Sequence, residues 1–153
     1  MFNYKISIGD NELKVIEEES LIFSGDLIRS FFKTEIFFYE ADKRLYARYV
    51  VIDFLFFKIK HQLFFLDSNE AALIKRERKN RVNLYYKGRL FTIKYLILKN
   101  RTELLFDNRK VGELELIQYD DSHYVHLLSC ESKNLGRIFA IFDLSLNVND
   151  GLL

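Results

Sequence analysis

The stretch Leu135-Gly136-Arg137-Ile138-Phe139-Ala140-Ile141-Phe142-Asp143-Leu144-Ser145-Leu146 decides how the rest of this chain has to be read. Wound at 3.6 residues per turn, it carries apolar side chains on nearly every side. Ser132 or Asn134 stands where a cap would start it. A helix apolar all round, yet shorter than the roughly 18 residues that cross a bilayer, belongs inside a protein. A continuous strand buried on both faces is the competing reading of the same residues. We read 135–146 as a helix, and Asn147 to Leu153 as a strand end or a frayed tail.

Such a helix needs a shell, and the preceding residues supply one in hairpins. Ile36-Phe37-Phe38-Tyr39 meets the turn Glu40-Ala41-Asp42-Lys43 and leaves as Leu45 to Tyr49. Leu63-Phe64-Phe65-Leu66 turns at Asp67-Ser68-Asn69-Glu70 and leaves as Ala71 to Ile74, and Leu104-Leu105-Phe106 turns at Asp107-Asn108-Arg109-Lys110 into Val111 to Leu114. Acidic and amide turn residues between aromatic or β-branched runs are hairpin signals. Phe2, Tyr4, Ile6 and Ile8 alternate with polar residues, and Leu13 to Ile16 returns as a partner strand. Gly88 is free to take a positive φ between Leu84-Tyr85-Tyr86 and Leu90-Phe91. Leu114 and Leu116 alternate with Glu113 and Glu115, and His123 to Leu128 is a further strand. Only Leu27 to Phe32 is ambiguous, fitting a strand or a short helix capped by Asp26. No linker interrupts 1–153, so one domain is expected: mainly β, a sheet of successive antiparallel hairpins with the apolar C-terminal helix buried against it.

Composition suits that shell. The 153 residues include 15 Phe and 9 Tyr but no Trp and no Pro, so every residue can donate to a backbone ladder. The net charge of +1 argues against the strongly basic kind of nucleic-acid-binding domain. One cysteine, Cys130, rules out an internal disulfide and suits a reducing compartment, so a cytoplasmic setting is expected. The first residues lack the basic start and apolar run of a signal peptide, and no apolar run reaches membrane-spanning length.

The units Thr34 to Tyr46 and His61 to Ile74, followed by Leu135 to Asp143, resemble the tubby C-terminal-like superfamily. That group includes tubby domains, phospholipid scramblases and LURP-one-related proteins. The resemblance covers about 30–150 and rests on an apolar strand, an Asp, a turn and a second strand. Lys43 and Glu70 stand where that unit commonly has Gly. It implies a closed barrel threaded by the last helix, and a peripheral role at lipid or phosphoinositide headgroups.

The sharpest charge feature is Lys75-Arg76-Glu77-Arg78-Lys79-Asn80-Arg81, five cations in seven residues, with Lys87, Arg89 and Lys94 soon after. Lys75, Arg76, Arg78, Lys79 and Arg81 are the candidate contacts for anionic headgroups; the plainer alternative is a solvated loop. Simple alternation would send Arg76 and Arg78 to one face and Lys75, Lys79 and Arg81 to the other, unless the segment is a hairpin tip. His123 and His126 are three apart and would not converge on a metal, so they read as structural. Cys130 reads as a half-buried thiol. Asp120-Asp121 reads as a turn, and Glu17-Glu18-Glu19 as a solvated loop or a strand end. Asp143 is the one suspicious carboxylate, expected to pair with an Arg or backbone donors at the barrel mouth. Phe54-Leu55-Phe56-Phe57 is expected in the core, with a membrane- or partner-facing edge as the alternative.

No phosphate loop, nucleophile elbow or metal motif is present, so neither a cofactor nor an enzymatic activity is expected. The expected function is non-enzymatic binding or scaffolding, at an anionic membrane surface. The alternative is a protein-interaction or inhibitory module using residues 17–19 and the basic segment.

Overall fold

The computed structural model describes residues 1–9, 12–54, 57–68, 70–96, 101–119 and 123–149. They form twelve strands and one helix: β1 (Phe2–Gly9), β2 (Leu13–Glu17), β3 (Ser20–Arg29), β4 (Lys33–Glu40), β5 (Leu45–Phe54), β6 (Phe57–Phe65), β7 (Ala71–Arg78), β8 (Arg81–Tyr86), β9 (Arg89–Leu96), β10 (Arg101–Phe106), β11 (Arg109–Tyr119), β12 (His123–Cys130) and α1 (Lys133–Asn149). Each strand pairs antiparallel with its chain neighbours, and β1 pairs with β12 to close the barrel. The expected architecture is therefore present, and closure leaves no free sheet edge. The residues from Leu27 to Arg29 belong to a strand.

Alternation builds the wall. Tyr4, Ile6 and Ile8 of β1 lie opposite Leu128, His126 and Tyr124 of β12, and all six are buried. Ile36, Tyr49 and Leu63 continue the inner layer across β4, β5 and β6. The turns at one end are tight and left-handed. Asp107 and Asn108 have φ of 48° and 67°, and Lys87 and Gly88 have 50° and 71°, the geometry that matches strand twist in two-residue hairpins. Asp107 also accepts a hydrogen bond from the Leu90 amide at 2.9 Å, tying that turn to the next hairpin.

The helix enters at this tight-turn end. The Ser132 hydroxyl accepts from the Leu135 amide at 3.4 Å, as one of the two expected caps, and the Tyr4 hydroxyl donates to the Lys133 carbonyl at 2.9 Å. Gly136 is needed for this entry, because a Cβ there would stand 2.4 Å from Cε2 of Tyr4. From Phe139 to Val148 every helix residue is buried. The helix lies off-centre, mainly against β1 and β12. An arc of inward aromatics lines the other side: Phe23, Tyr46, Phe65, Tyr86, Phe91 and Phe106, with successive ring centres 4.4 to 6.4 Å apart and Phe139 of α1 joining at 5.4 Å from Phe91. Twelve strands enclose more room than one helix fills, so large flat side chains occupy the remainder. Burial pushes the Tyr46 hydroxyl up to about 12.

The tail expectation needs correction at its start. Asn147 to Asn149 are helical, because the Asn147 side chain donates back to the Asp143 carbonyl at 2.8 Å and Arg29 donates to the Val148 carbonyl at 3.1 Å. Residues 150–153 lie outside the described residues.

Candidate anion-contact surface

Residues 75–81 form the tip of the β7–β8 hairpin, with Lys79-Asn80 as the turn. Lys75 pairs with Asn83, Arg76 with Val82 and Arg78 with Arg81, so Glu77 is an extra residue in a bulge. This corrects the alternation expected from the sequence. One inserted residue reverses the parity of everything after it, so Arg78 faces the same way as Lys75 and Arg81. Arg76 sits on the side of Val82, whose side chain points into the barrel. Lys94 lies opposite Arg81 and joins this face. Lys87 and Arg89 do not: they sit at the other end of the barrel, ion-paired with Asp67 at 3.6 Å and Asp107 at 2.6 Å.

The hairpin is held from within. A guanidinium nitrogen of Arg76 donates to the Lys79 carbonyl at 3.1 Å, and the Tyr95 amide donates to the Asn80 carbonyl at 2.8 Å. Glu77, the segment's one carboxylate, faces Arg81 at 3.7 Å and accepts from Asn83 at 3.1 Å. Asn83 in turn accepts from the Thr92 hydroxyl at 2.8 Å. Lys75, Arg78 and Arg81 thus share the outer side of a tip braced by a buried polar ladder, with Lys79 in its turn, Arg76 on the other side and Glu77 the single anion among them. Lys75, Arg78 and Lys79 are exposed.

Aromatic residues crown the two preceding hairpins at the same end. Phe31 and Phe32 form the β3–β4 turn, with Phe31 91% exposed, and their rings stack edge-on at 4.4 Å. Phe32 lies 5.5 Å from Phe54, which pairs with Phe57 across the β5–β6 hairpin. Phe54 is 47% and Phe57 75% exposed. The expectation that Phe54 to Phe57 lies in the core is thus wrong for these two, because the strands carry them past the rim. Leu55 and Phe56 lie outside the described residues.

The remaining candidates have structural partners. Asp143 pairs with His126 at 2.8 Å rather than with an Arg, and also accepts from Asn147 at 2.9 Å. Burial alone would depress the His126 imidazole, but the charge and hydrogen bond of Asp143 outweigh it and hold the ring above its usual value. Glu17 lies at a strand end, the second of its two expected readings: it closes β2, buried against Arg137 at 3.0 Å and Lys133 at 3.7 Å rather than solvated. Burial works to raise its carboxyl; the hydrogen bonds and charge of Arg137 prevail and keep it below the usual carboxylate range. Glu18 and Glu19 are exposed in the left-handed turn that follows, at the opposite end from the basic hairpin. Cys130 is fully buried rather than half-buried, and burial pushes its thiol up. Asp120-Asp121 lies outside the described residues.

No family model matches the sequence, and no curated protein matches it. The fold is similar to that in an X-ray structure of the Arabidopsis thaliana protein AT5G01750, with a TM-score of 0.53 at 12% identity, covering 93% of this chain and 90% of that one. At that identity the likeness is one of fold. Among the described residues, no helix is long and apolar enough to cross a membrane.

Proposed function

We propose that this is a non-enzymatic binding protein of the tubby C-terminal-like superfamily, on its LURP-one-related or scramblase-like side. In this reading it works in the cytoplasm, peripheral to a membrane, and contacts anionic lipid headgroups through Lys75, Arg76, Arg78, Lys79 and Arg81. The family reading draws on the strand-turn-strand units and on the barrel around a C-terminal helix that they imply. The observation that carries the binding reading is the Glu77 bulge, which brings Arg78 to the same side as Lys75 and Arg81 beside Lys79 in the turn. Each Lys or Arg near an anionic surface contributes about 1 kcal/mol, so with Arg81 shared with Glu77 and Arg76 on the other side of the strand the tip supplies about 3 kcal/mol. That corresponds to binding on the order of several millimolar, suited to a reversible encounter.

Co-sedimentation with phosphatidylcholine vesicles, with and without phosphatidylserine, tests it. The Arg78→Glu, Lys79→Glu pair is the informative variant, since Arg76 and Arg81 also brace the hairpin. Binding is expected to be stronger to the anionic vesicles, and that preference to be lost in the variant. Equal pelleting with both vesicle types, or an unchanged variant, would count against the reading.

A further inference from the structure

The exposed aromatics at the barrel end are not accounted for by headgroup contact. Phe31 and Phe32 make the β3–β4 turn, Phe54 and Phe57 pair where β5 ends and β6 begins, and the basic β7–β8 tip comes next in barrel order. Three consecutive hairpins therefore carry apolar, apolar and cationic tips at one end. The turn geometry is built rather than loose: Ser30 donates to Lys33 at 2.8 Å across the first turn, and the Asp53 amide donates to the Phe32 carbonyl at 2.8 Å, locking the two aromatic hairpins together. At the other end the equivalent inward aromatics, from Phe23 to Phe106, are packed into the arc beside α1. A soluble domain rarely leaves adjacent Phe rings this exposed unless they meet another apolar phase.

We propose that this end is a membrane anchor, in which Phe31, Phe32, Phe54 and Phe57 insert among the acyl chains just below the headgroups. The cationic tip lies alongside and faces the anionic phosphates. This deepens the headgroup reading and rests on it. Charge complementarity selects the occupant: rings flanked by clustered Lys and Arg match an anionic bilayer interface, where apolar side chains enter the hydrocarbon and cations stay with the phosphates. Projecting tips suit a deformable lipid phase, and the barrel axis would then stand steeply on the membrane with the tight-turn end pointing away. Insertion makes binding persist where screening removes the electrostatic part, with about a tenfold contribution from each ring.

The chain contains no Trp, so Phe31→Trp introduces a single fluorescent reporter at the tip. Its emission is expected to shift blue on adding phosphatidylserine-containing vesicles and to be quenched by brominated acyl chains. In a second arm, Phe31→Ser with Phe57→Ser is expected to bind anionic vesicles at low salt but to lose about a hundredfold in partitioning at ~1 M salt, where the Debye length is about 3 Å. Both positions are exposed, and an unchanged thermal melt checks that the fold is kept. Unshifted fluorescence while vesicles still pellet the protein overturns insertion and leaves the headgroup reading standing. A shift that survives Arg78→Glu, Lys79→Glu on neutral vesicles supports insertion and removes the headgroup reading. No pelleting with either vesicle type overturns both.

Discussion

Replacing Asp143 by Asn should invert the way stability responds to pH near neutrality. Asn keeps the shape of Asp143 and can still hydrogen-bond His126 and Asn147, so the change isolates one buried negative charge. In the native protein His126 titrates above its unfolded value of about 6.5. The proton it retains stabilises the fold fully below that value, and the benefit is lost as pH rises through the raised native pKa. Across that window stability falls with pH, by up to about 1.4 kcal/mol per unit for one proton. Without the carboxylate, burial is the force left acting on the ring and depresses it, so the folded state prefers neutral His126 and stability rises with pH up to the unfolded value of about 6.5, then levels off. The variant also loses a charge-assisted bond, a general loss of about 1.5–3 kcal/mol. Urea midpoints measured from about pH 5 to 8 at fixed ionic strength read both effects. Parallel slopes for wild type and Asp143→Asn would refute the reasoning, as would a slope that survives His126→Gln.

Two further outcomes follow from the entrance of the barrel. Gly136→Ala should destabilise by about 1–3 kcal/mol in thermal or urea unfolding, since its methyl must displace the Tyr4 ring and with it the bond to Lys133. An unchanged melting temperature would mean that Tyr4 moves freely. Glu17→Gln should flatten the acid limb of the stability profile: Glu17 is held below its usual range, so its contribution is present above the unfolded value of about 4.3 and lost as pH falls through the lower native one. An acid limb identical to wild type in urea titrations would remove Glu17 from the account.

The hairpins and their enclosed helix were legible because two periodicities coexist in the chain, alternation up to Cys130 and an all-round apolar run after it. What escaped was set by geometry between strands. The bulge at Glu77 changes which cations share a face, yet a bulge belongs to a pair of strands and leaves no mark in one of them. The exposure of Phe54 and Phe57 escaped for a related reason: alternation says which residues share a side, not where a strand outruns the rim. His126 as the partner of Asp143 could have been found, since it alternates with Tyr124 and Leu128, both apolar and inward. The helical state of Asn147 was hidden because its side chain bonds within the helix, a choice that local propensity disfavours.

The pairing of β1 with β12 also sets an order of events during synthesis. The first strand must wait for β12 to emerge before it meets that neighbour, and α1, the filling, comes later still. Until then a nascent sheet holds open two edges and an aromatic inner face. Such long-range closure makes folding slow and leaves the growing chain dependent on shielding from its own kind. A ribosome stalled before β12 would release an aggregation-prone sheet, not a smaller barrel.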